Sequence, residues 1–443
     1  MRYRTLRRFF LVFGDVLLLF FSLYLTLFIR RGASSSFDNY INFAKNFIWL
    51  FLFWLFLLFI FDFYSFKLKT GTFQFYRYFL IFIFLSLFSG ILFFYLQPKL
   101  VIAPKTILIL EIVIFSILFL GWRFFFDWFF KKSVKKEKII FLGFSPEMEE
   151  LTDYLKKFSS RYKVIGTYTR NSETQEIKEV IEKEKIKRII VAASPVLKEK
   201  ESPGNTLKLR EILSSFPNLK IESFSKFYEI NTQRVPLSFL FDSTFLEEFY
   251  KEEERTYTAL KRVFDIFFSF LGVLILAVLY PFIAFAVKID SSGPVLFIQR
   301  RLGGKRKPFD FYKFRTMISS EKEKDEWRVD EKKFVTRAGK FLRNTHLDEL
   351  PQFLNILKGD LSFIGPRPEW EKLAKIFEKE TPFYFLRYQV KPGFAGWAQI
   401  NLPPSFSAEE AKEKFQYDLY YIKHRSFLFD IIIFLKSLRK IFG

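Results

Sequence analysis

Lys261-Arg-Val-Phe-Asp-Ile-Phe-Phe-Ser-Phe-Leu-Gly-Val-Leu-Ile-Leu-Ala-Val-Leu-Tyr-Pro-Phe-Ile-Ala-Phe-Ala-Val-Lys288 is the stretch whose reading decides the fold. It is long enough to cross a bilayer, which takes about 20 apolar residues. Yet both ends are basic: Lys261 and Arg262 precede the run, and Lys288, Arg300, Arg301, Lys305, Arg306 and Lys307 follow it. Lys and Arg near the ends of a span collect on the cytoplasmic side, so a simple crossing would carry one cluster to the wrong face. Pro281 removes a helical hydrogen bond and clashes with the preceding turn. The sequence therefore predicts a re-entrant helix, broken at Pro281, that enters one leaflet and returns, with its freed backbone satisfied by protein or water.

The region before it is also lipid-directed. Apolar runs at 9–29, 47–66, 75–96 and 106–126 each have the length of a transmembrane helix. The first is too long and too aromatic for a signal peptide and is followed by further spans. Arg2, Arg4, Arg7 and Arg8, then Lys67, Lys69 and Arg77, then Arg123, Lys131, Lys132, Lys135 and Lys136 outnumber Arg30, Arg31, Lys45, Lys99 and Lys105 in the alternate loops. Both ends of this four-span block, 1–130, are thus expected on the cytoplasmic side. Asp15, Asp62 and Glu111 fall in or at the ends of these runs, where an acid is either a functional group or a hydrogen-bonding tie between helices; the second reading is preferred.

Composition agrees. Of 443 residues half are apolar and 21% aromatic, with 65 Phe, and the net charge is +22. A basic, lipid-rich chain suits an anionic leaflet or phosphorylated substrates; no nucleic-acid-binding motif accompanies the charge. The absence of Cys excludes disulfides and thiolate chemistry, and two His cannot build a multi-histidine centre. Any metal would rest on oxygen ligands, which suits Mg²⁺ or Mn²⁺.

Between the spans and the quoted run, at 137–250, strands read at 138–143, 163–167 and 188–192 alternate with helices at 147–158 and 176–184. That alternation predicts a parallel sheet of Rossmann type. Gly143-Phe-Ser-Pro146 lacks G-x-G-x-x-G, and the missing second glycine is what lets backbone approach a pyrophosphate. The domain is read as a degenerate, structural or regulatory one.

The chemistry concentrates after the quoted run, within a third domain, 256–443. Arg343-Asn-Thr-His-Leu-Asp-Glu-Leu-Pro-Gln-Phe-Leu-Asn-Ile-Leu-Lys-Gly359 is its centre. Pro351 suits a first helical turn, with Phe353, Leu354 and Leu357 expected on the buried side. Asp348 and Glu349 then stand at the start of that helix, where the dipole and free N–H groups favour anions, whether carboxylate or phosphate. A carboxylate there can attack phosphorus, while its neighbour acts as base or metal ligand. A capping pair would look the same; the surroundings decide. Lys313-Phe-Arg-Thr-Met317 places Lys313 and Arg315 to neutralise a diphosphate. Gly365-Pro-Arg-Pro368 holds Arg367 between prolines, its fork ready for a phosphate. Lys391-Pro-Gly-Phe-Ala-Gly-Trp-Ala-Gln399 offers a close backbone approach and the flat face of Trp397.

Together with Gly293-Pro-Val-Leu-Phe-Ile-Gln-Arg-Arg-Leu-Gly303, these segments resemble, in order, the bacterial sugar transferase family of monotopic phosphoglycosyl transferases. The spans and α/β domain ahead of them look like its long members, the polyprenyl-phosphate hexose-1-phosphate transferases. The resemblance implies a UDP-sugar donor, a polyprenyl (undecaprenyl) phosphate acceptor and a place at the start of exopolysaccharide, capsule or O-antigen synthesis. It implies Asp348 as nucleophile toward the sugar-bearing phosphate, releasing UMP, and Glu349 as Mg²⁺ ligand or base. Arg343 and Arg367 would hold phosphates, Lys313 and Arg315 would assist them, and Trp397 and Gln399 would contact nucleotide or sugar. Mg²⁺ would rest on Asp348 and Glu349, and the catalytic domain would face the cytoplasm from the bacterial inner membrane, with a homodimer possible through the spans or α/β domain. The chain departs from the family's pattern at Tyr280, where Ser usually precedes the proline, and at His346, where Ser is common. The tail, 415–443, reads as an interfacial or core helix. The rival reading is an inactive scaffold or regulator of polysaccharide assembly, which the intact Asp348, Glu349, Arg343 and Arg367 oppose; a transporter is a poor fit without internal repeats.

Overall fold

In the computed structural model the described residues are 2–31, 37–65, 68–96, 104–133, 136–158, 161–169, 172–193, 204–250, 254–318, 334–402 and 408–439. Phe66, Lys67, Lys99, Lys135 and the chain beyond Arg439 lie outside them. The chain divides into two compact units, one built on the first 136 residues together with Lys156–Arg161, the other on the remainder from Glu137.

The first unit is four helices: α1 (Arg2–Arg31), α2 (Phe37–Ile60), α3 (Phe73–Leu96) and α4 (Pro104–Ser133). Each contains a stretch long and apolar enough to cross a membrane. The runs expected at 9–29, 75–96 and 106–126 fall inside α1, α3 and α4, whereas α2 ends at Ile60, short of the run expected at 47–66. Their interior is aromatic: Phe51, Trp54, Phe82, Phe115 and Phe119 are buried, and rings such as Phe79 and Phe119 stack at 5.5 Å. Two of the acids are ties between helices, as expected. Asp15 on α1 meets Arg123 on α4 at 2.5 Å, and Glu111 on α4 accepts from Ser22 and Thr26 on α1 at 2.6 and 3.0 Å. Asp62 sits past the end of α2 with φ +60°.

The second unit opens with β1 (Glu137–Phe144), α5 (Met148–Phe158), β2 (Tyr162–Tyr168), α6 (Thr174–Glu184), β3 (Arg188–Ala193), α7 (Gly204–Ser215), β4 (Lys220–Ser223) and α8 (Phe224–Thr232). The strands form a parallel sheet in the order β2-β1-β3-β4, a doubly wound order that reverses between β1 and β3, where such folds bind ligands. Gly143 serves packing there: at φ +102°, a Cβ would stand 2.2 Å from Ala192 O on β3. Just before α5, Glu147 accepts from Ser145 Oγ, Ser238 N and Ser238 Oγ at 2.5, 3.0 and 2.7 Å.

After α9 (Ser243–Glu247) comes α10 (Arg255–Asp290), then β5 (Leu296–Leu302), β6 (Pro308–Phe314), α11 (Arg337–Asn344), α12 (Gln352–Lys358), β7 (Ser362–Ile364), α13 (Glu371–Glu380), β8 (Gly393–Ala395), α14 (Trp397–Asn401), α15 (Ala408–His424) and α16 (Phe427–Leu438). β5 and β6 form an antiparallel hairpin, and β7 and β8 a short parallel pair. One core cluster runs from Ile139 on β1 to Ile433 on α16, which explains why the α/β part and the C-terminal part form a single unit. Arg234, after α8, pairs with Glu150 on α5 and Glu413 on α15 at 2.5 and 2.9 Å, and Lys423 on α15 reaches Glu229 on α8 at 2.7 Å. α16 is a packed helix: Ile433 is buried and Phe434 meets Phe264 and Phe268 of α10 at 5.2 Å.

The predicted break at Pro281 is corrected. α10 is one uninterrupted helix of 36 residues with Pro281 inside it. Proline costs one hydrogen bond and a clash, but membrane helices tolerate that cost where neighbouring helices, hydroxyl side chains or small local adjustments satisfy the freed backbone group. Phe267, Phe270, Phe282, Phe285 and Ile289 are exposed along it, while Leu276, Ile283 and Val287 are buried. Its two ends meet the same part of the protein: Lys261 Nζ donates to Ile364 O at 2.8 Å, and Asp290 Oδ2 accepts from Ala338 N at 2.6 Å.

Candidate active site

Asp348 and Glu349 lie in a single 3-10 turn, Leu347–Glu349, between α11 and α12. His346 starts the turn in the left-handed region at φ +57° and is exposed. Pro351, at φ −60°, starts α12 as its fixed backbone suggests. The buried positions of α12 are Gln352, Asn355 and Ile356, not the expected Phe353, Leu354 and Leu357. Phe353 turns instead toward α10, where Gly272 makes room: a Cβ there would lie 2.4 Å from the Phe353 ring. Asn355 fastens α12 to β6, accepting from Tyr312 N at 3.2 Å and donating to Asp310 O at 2.7 Å.

Separate segments bring cations to this turn. Lys313, near the end of β6, places Nζ 2.7 Å from Glu349 Oε1 and 3.9 Å from Asp348 Oδ2. Arg367, in the loop after β7, places Nη2 2.7 Å from the same Glu349 oxygen. Arg343, in the last turn of α11, donates from Nε to Thr316 Oγ1 at 2.9 Å, and its charge acts on Asp348. The two carboxyls consequently diverge. Burial opposes ionisation of Glu349, but the Arg367 and Lys313 charges outweigh it and hold its carboxyl far below the usual range. Burial pushes Asp348 above its usual range, offset only in part by Lys313, and the neighbouring Glu349 charge pushes the same way. Burial also lowers Lys313, against the pull of Glu349. Titratable neighbours driven apart in this way are a mark of functional sites.

Arg367 is itself gripped from behind. Arg301 Nη1 donates to Pro368 O at 2.6 Å, and Arg387 Nη2 donates to Arg367 O at 3.0 Å. Arg387 is buried beside Asp418 at 2.9 Å, and Glu369 lies between Arg387 and Lys414. Burial disfavours the Glu369 charge, yet Lys414 and Arg387 lower its carboxyl to about 2. Burial, with the Arg367 charge, lowers Arg301 to about 10, and its guanidinium lies over the Phe311 ring at 4.2 Å. Glycine allows the close backbone contact that sets this loop: a Cβ on Gly393 would lie 2.0 Å from Gly365 N. Sequence reasoning missed Arg301 as a loop anchor, and missed Arg387, Glu369, Lys414 and Asp418 altogether, since their partners lie far away in the chain.

Of the predicted residues, the structure gathers Lys313, Arg343, Asp348, Glu349 and Arg367. Arg315 is buried elsewhere, donating from Nη2 to Ser291 O at 2.7 Å at the exit of α10. Trp397 presents no open face: it is 4% exposed, meets Phe429 at 5.0 Å and donates from Nε1 to Gln233 O of the α/β part at 3.3 Å. An indole in a core next to the α/β part stabilises that packing instead of stacking on a ligand. Gln399 donates to Phe394 O at 3.4 Å, a local tie in the same segment.

Among the described residues no group of three or more His, Cys, Asp or Glu is gathered to hold a metal. Mg²⁺ characteristically takes one or two carboxylates, completing its shell with water and substrate phosphate. The adjacent Asp348 and Glu349 fit that donor set, Asp348 with the less encumbered oxygens because Glu349 Oε1 already holds two cations.

Residues 256–443 match the family described as Bacterial sugar transferase. The chain is 40% identical over 186 residues to a UDP-N-acetylgalactosamine-undecaprenyl-phosphate N-acetylgalactosaminephosphotransferase of Aeromonas hydrophila, covering 42% of this chain and 44% of the relative. It is 42% identical over 180 residues to the UDP-glucose:undecaprenyl-phosphate glucose-1-phosphate transferase of Escherichia coli K12, covering 40% and 39%. The match thus spans less than half the length of these two relatives. For the sugar transferase EpsL of Bacillus subtilis, 39% identical over 183 residues, it covers 41% of this chain and 87% of the relative. With its matched segment containing the whole site just described, the chain belongs to the bacterial sugar transferase family.

Proposed function

We propose that this protein transfers a sugar 1-phosphate from a UDP-sugar to a polyprenyl phosphate, as a first membrane step of polysaccharide assembly. The observation that carries the reading is the split pair: Glu349 clamped by Lys313 and Arg367 at 2.7 Å each, beside an Asp348 that lacks such a clamp. Relatives named as undecaprenyl-phosphate sugar-phosphate transferases support the substrate class.

In this reading an Asp348 carboxylate oxygen attacks the sugar-bearing phosphorus of the UDP-sugar. The bond from that phosphorus to the bridging oxygen breaks, UMP leaves with the electron pair, and the phosphosugar stays on Asp348. An oxygen of the polyprenyl phosphate then attacks the same phosphorus, the Asp348–phosphorus bond breaks and the carboxylate returns. Arg367, Lys313 and Arg343 orient and neutralise the phosphates, which is most of the work in phosphoryl transfer. Glu349 holds Lys313 and Arg367 in place. Mg²⁺ on Asp348 or Glu349 and the donor diphosphate would supply further charge neutralisation.

α10 enters and leaves the cytoplasmic leaflet of the inner membrane in this proposal, keeping the site on the cytoplasmic face. Its basic flanks and its two ends' hydrogen bonds to the same part of the protein support that topology. The helix then has to bend at Pro281 rather than end there. The test is UMP release by the purified full-length protein across a panel of UDP-sugars, with polyprenyl phosphate and Mg²⁺. Sustained UMP release that needs the acceptor class and one donor names the sugar; no release from any donor rejects the reading in favour of a scaffold.

A further inference from the structure

Lys261 and Arg262 read in the sequence as charges flanking an apolar run, yet in the structure both, together with Asp265, hold backbone atoms. Arg262 donates from Nη1 to Ile356 O and from Nη2 to Leu357 O, both at 2.8 Å. Those carbonyls close the last turn of α12, where a cation meets the negative end of the helix dipole. Asp265 Oδ1 accepts from Phe363 N at 2.9 Å and Ser362 Oγ at 3.0 Å, and is itself buried. Lys261 Nζ donates to Ile364 O at 2.8 Å, held on its other side by Asp430 at 2.6 Å and Tyr421 OH at 3.1 Å.

These contacts divide between two elements. Arg262 holds α12, whose other end carries Asp348 and Glu349. Lys261 and Asp265 hold β7, which runs directly into Gly365 and Arg367. The Glu349–Arg367 ion pair at 2.7 Å joins the loop leaving β7 to the turn entering α12. One turn near the start of a lipid-facing helix therefore grips both arms of the site from behind.

We propose that Lys261, Arg262 and Asp265 are positioning residues through which the seating of α10 sets the geometry of the Glu349–Arg367 pair. The proposal rests on the functional reading above only for its kinetic consequence. Charge-assisted bonds to main chain are stronger than neutral ones, and small misplacements of phosphate-binding groups are costly in rate. The three side chains touch no substrate in this account; they act through backbone.

The test is hydrogen exchange of the full-length protein in lipid nanodiscs, with UMP release measured on the same samples. In Asp265→Ala and Arg262→Ala, exchange at residues 347–351 and 364–368 should rise by about tenfold while the β1–β4 sheet keeps wild-type protection. Asp265→Asn, which still offers an oxygen to Phe363 N, should stay near wild type. In the alanine variants kcat should fall about tenfold or more with KM for the UDP-sugar changed by less than about threefold. Unchanged exchange at the two site segments overturns the proposal, as does exchange raised equally across the sheet, or an alanine variant with wild-type kcat. A wild-type protein that releases no UMP ends the functional reading alone, because exchange needs no turnover.

Discussion

The four-helix unit and the site both bury carboxylates, and they treat them differently. In the helices Asp15 faces Arg123 at 2.5 Å, and Glu111 takes two hydroxyls at 2.6 and 3.0 Å. Both contacts join α1 to α4, and Tyr64, just past the end of α2, also interacts with Asp15. At the site Glu349 draws Lys313 from a hairpin and Arg367 from a loop onto one oxygen, while Asp348 next to it is 3.9 Å from the nearer cation. The first arrangement specifies how helices pair. The second leaves cationic capacity and one poorly matched carboxylate, which is what a charged substrate requires. Burial alone does not separate the two cases; the charge gathered does, since one cation meets Asp15 and two hydroxyls meet Glu111, whereas two cations converge on one oxygen of Glu349.

The largest effect should come from Asp348→Asn, which keeps shape and removes the charge proposed to attack phosphorus. UMP release should fall by about 10³-fold or more, with the melting temperature held close to wild type. Substantial release by this variant, for any UDP-sugar, would remove Asp348 from the nucleophile's role and with it the contrast between the two acids.

On the structural side of the comparison, Arg123→Ala leaves Asp15 buried without its cation. Breaking one half of a buried pair costs about 3–5 kcal/mol, so the melting temperature in mild detergent should drop sharply. Pairing Arg123→Met with Asp15→Leu should recover much of that loss, since an apolar replacement of both partners leaves no charge unmatched. UMP release per folded molecule should be unchanged in the double variant. A selective loss of turnover there would move the Asp15–Arg123 pair out of the structural class.

The same contrast accounts for how much of the site was legible. The four spans were visible because a bilayer demands about 20 apolar residues in a row, and the parallel sheet because buried strands and amphipathic helices alternate in composition. Asp348, Glu349, Lys313 and Arg367 were visible because charged residues between glycines and prolines stand out from their surroundings. Three-dimensional partnership was not. Trp397 has the same composition-level signature whether it faces a ligand or Gln233 O, and Lys261 and Arg262 look like solvated flanks until α12 and β7 are laid against them. Pro281 announces a perturbed helix, but whether the helix stops depends on what surrounds it. Arg387 reads as one more basic residue, because its partners Asp418 and Arg367 O come from elsewhere in the fold.

Arg367→Ala probes the site's side of the comparison at one step less than the nucleophile. It removes a charge proposed to hold a phosphate and leaves Glu349 with Lys313 alone, so kcat/KM should fall by about 10²-fold. Arg367→Lys should recover only part of this, because an ammonium cannot reproduce the planar fork. Equal activity of the lysine variant and the wild type would mean that charge, not geometry, is what the loop between Pro366 and Pro368 supplies.

The smallest effect should be that of Glu111→Gln, and it is the most informative about the helical unit. Its two partners, Ser22 and Thr26, are hydroxyls, which can turn to donate or accept. A glutamine amide offers one acceptor and two donors in nearly the same volume, so both contacts can be kept with one hydroxyl reversed. Hydrogen bonds between membrane helices are worth about 0.6 kcal/mol on average, and the exchange should cost less than that in thermal stability. Turnover should be indistinguishable from wild type. If Glu111→Gln instead lowered UMP release tenfold while the unit stayed folded, Glu111 would be needed as an acid or a charge and not as a hydrogen-bond acceptor. The helical unit would then hold a working group of its own, and the division between a closed, structural bundle and an open, reactive site would have to be redrawn across α1 and α4.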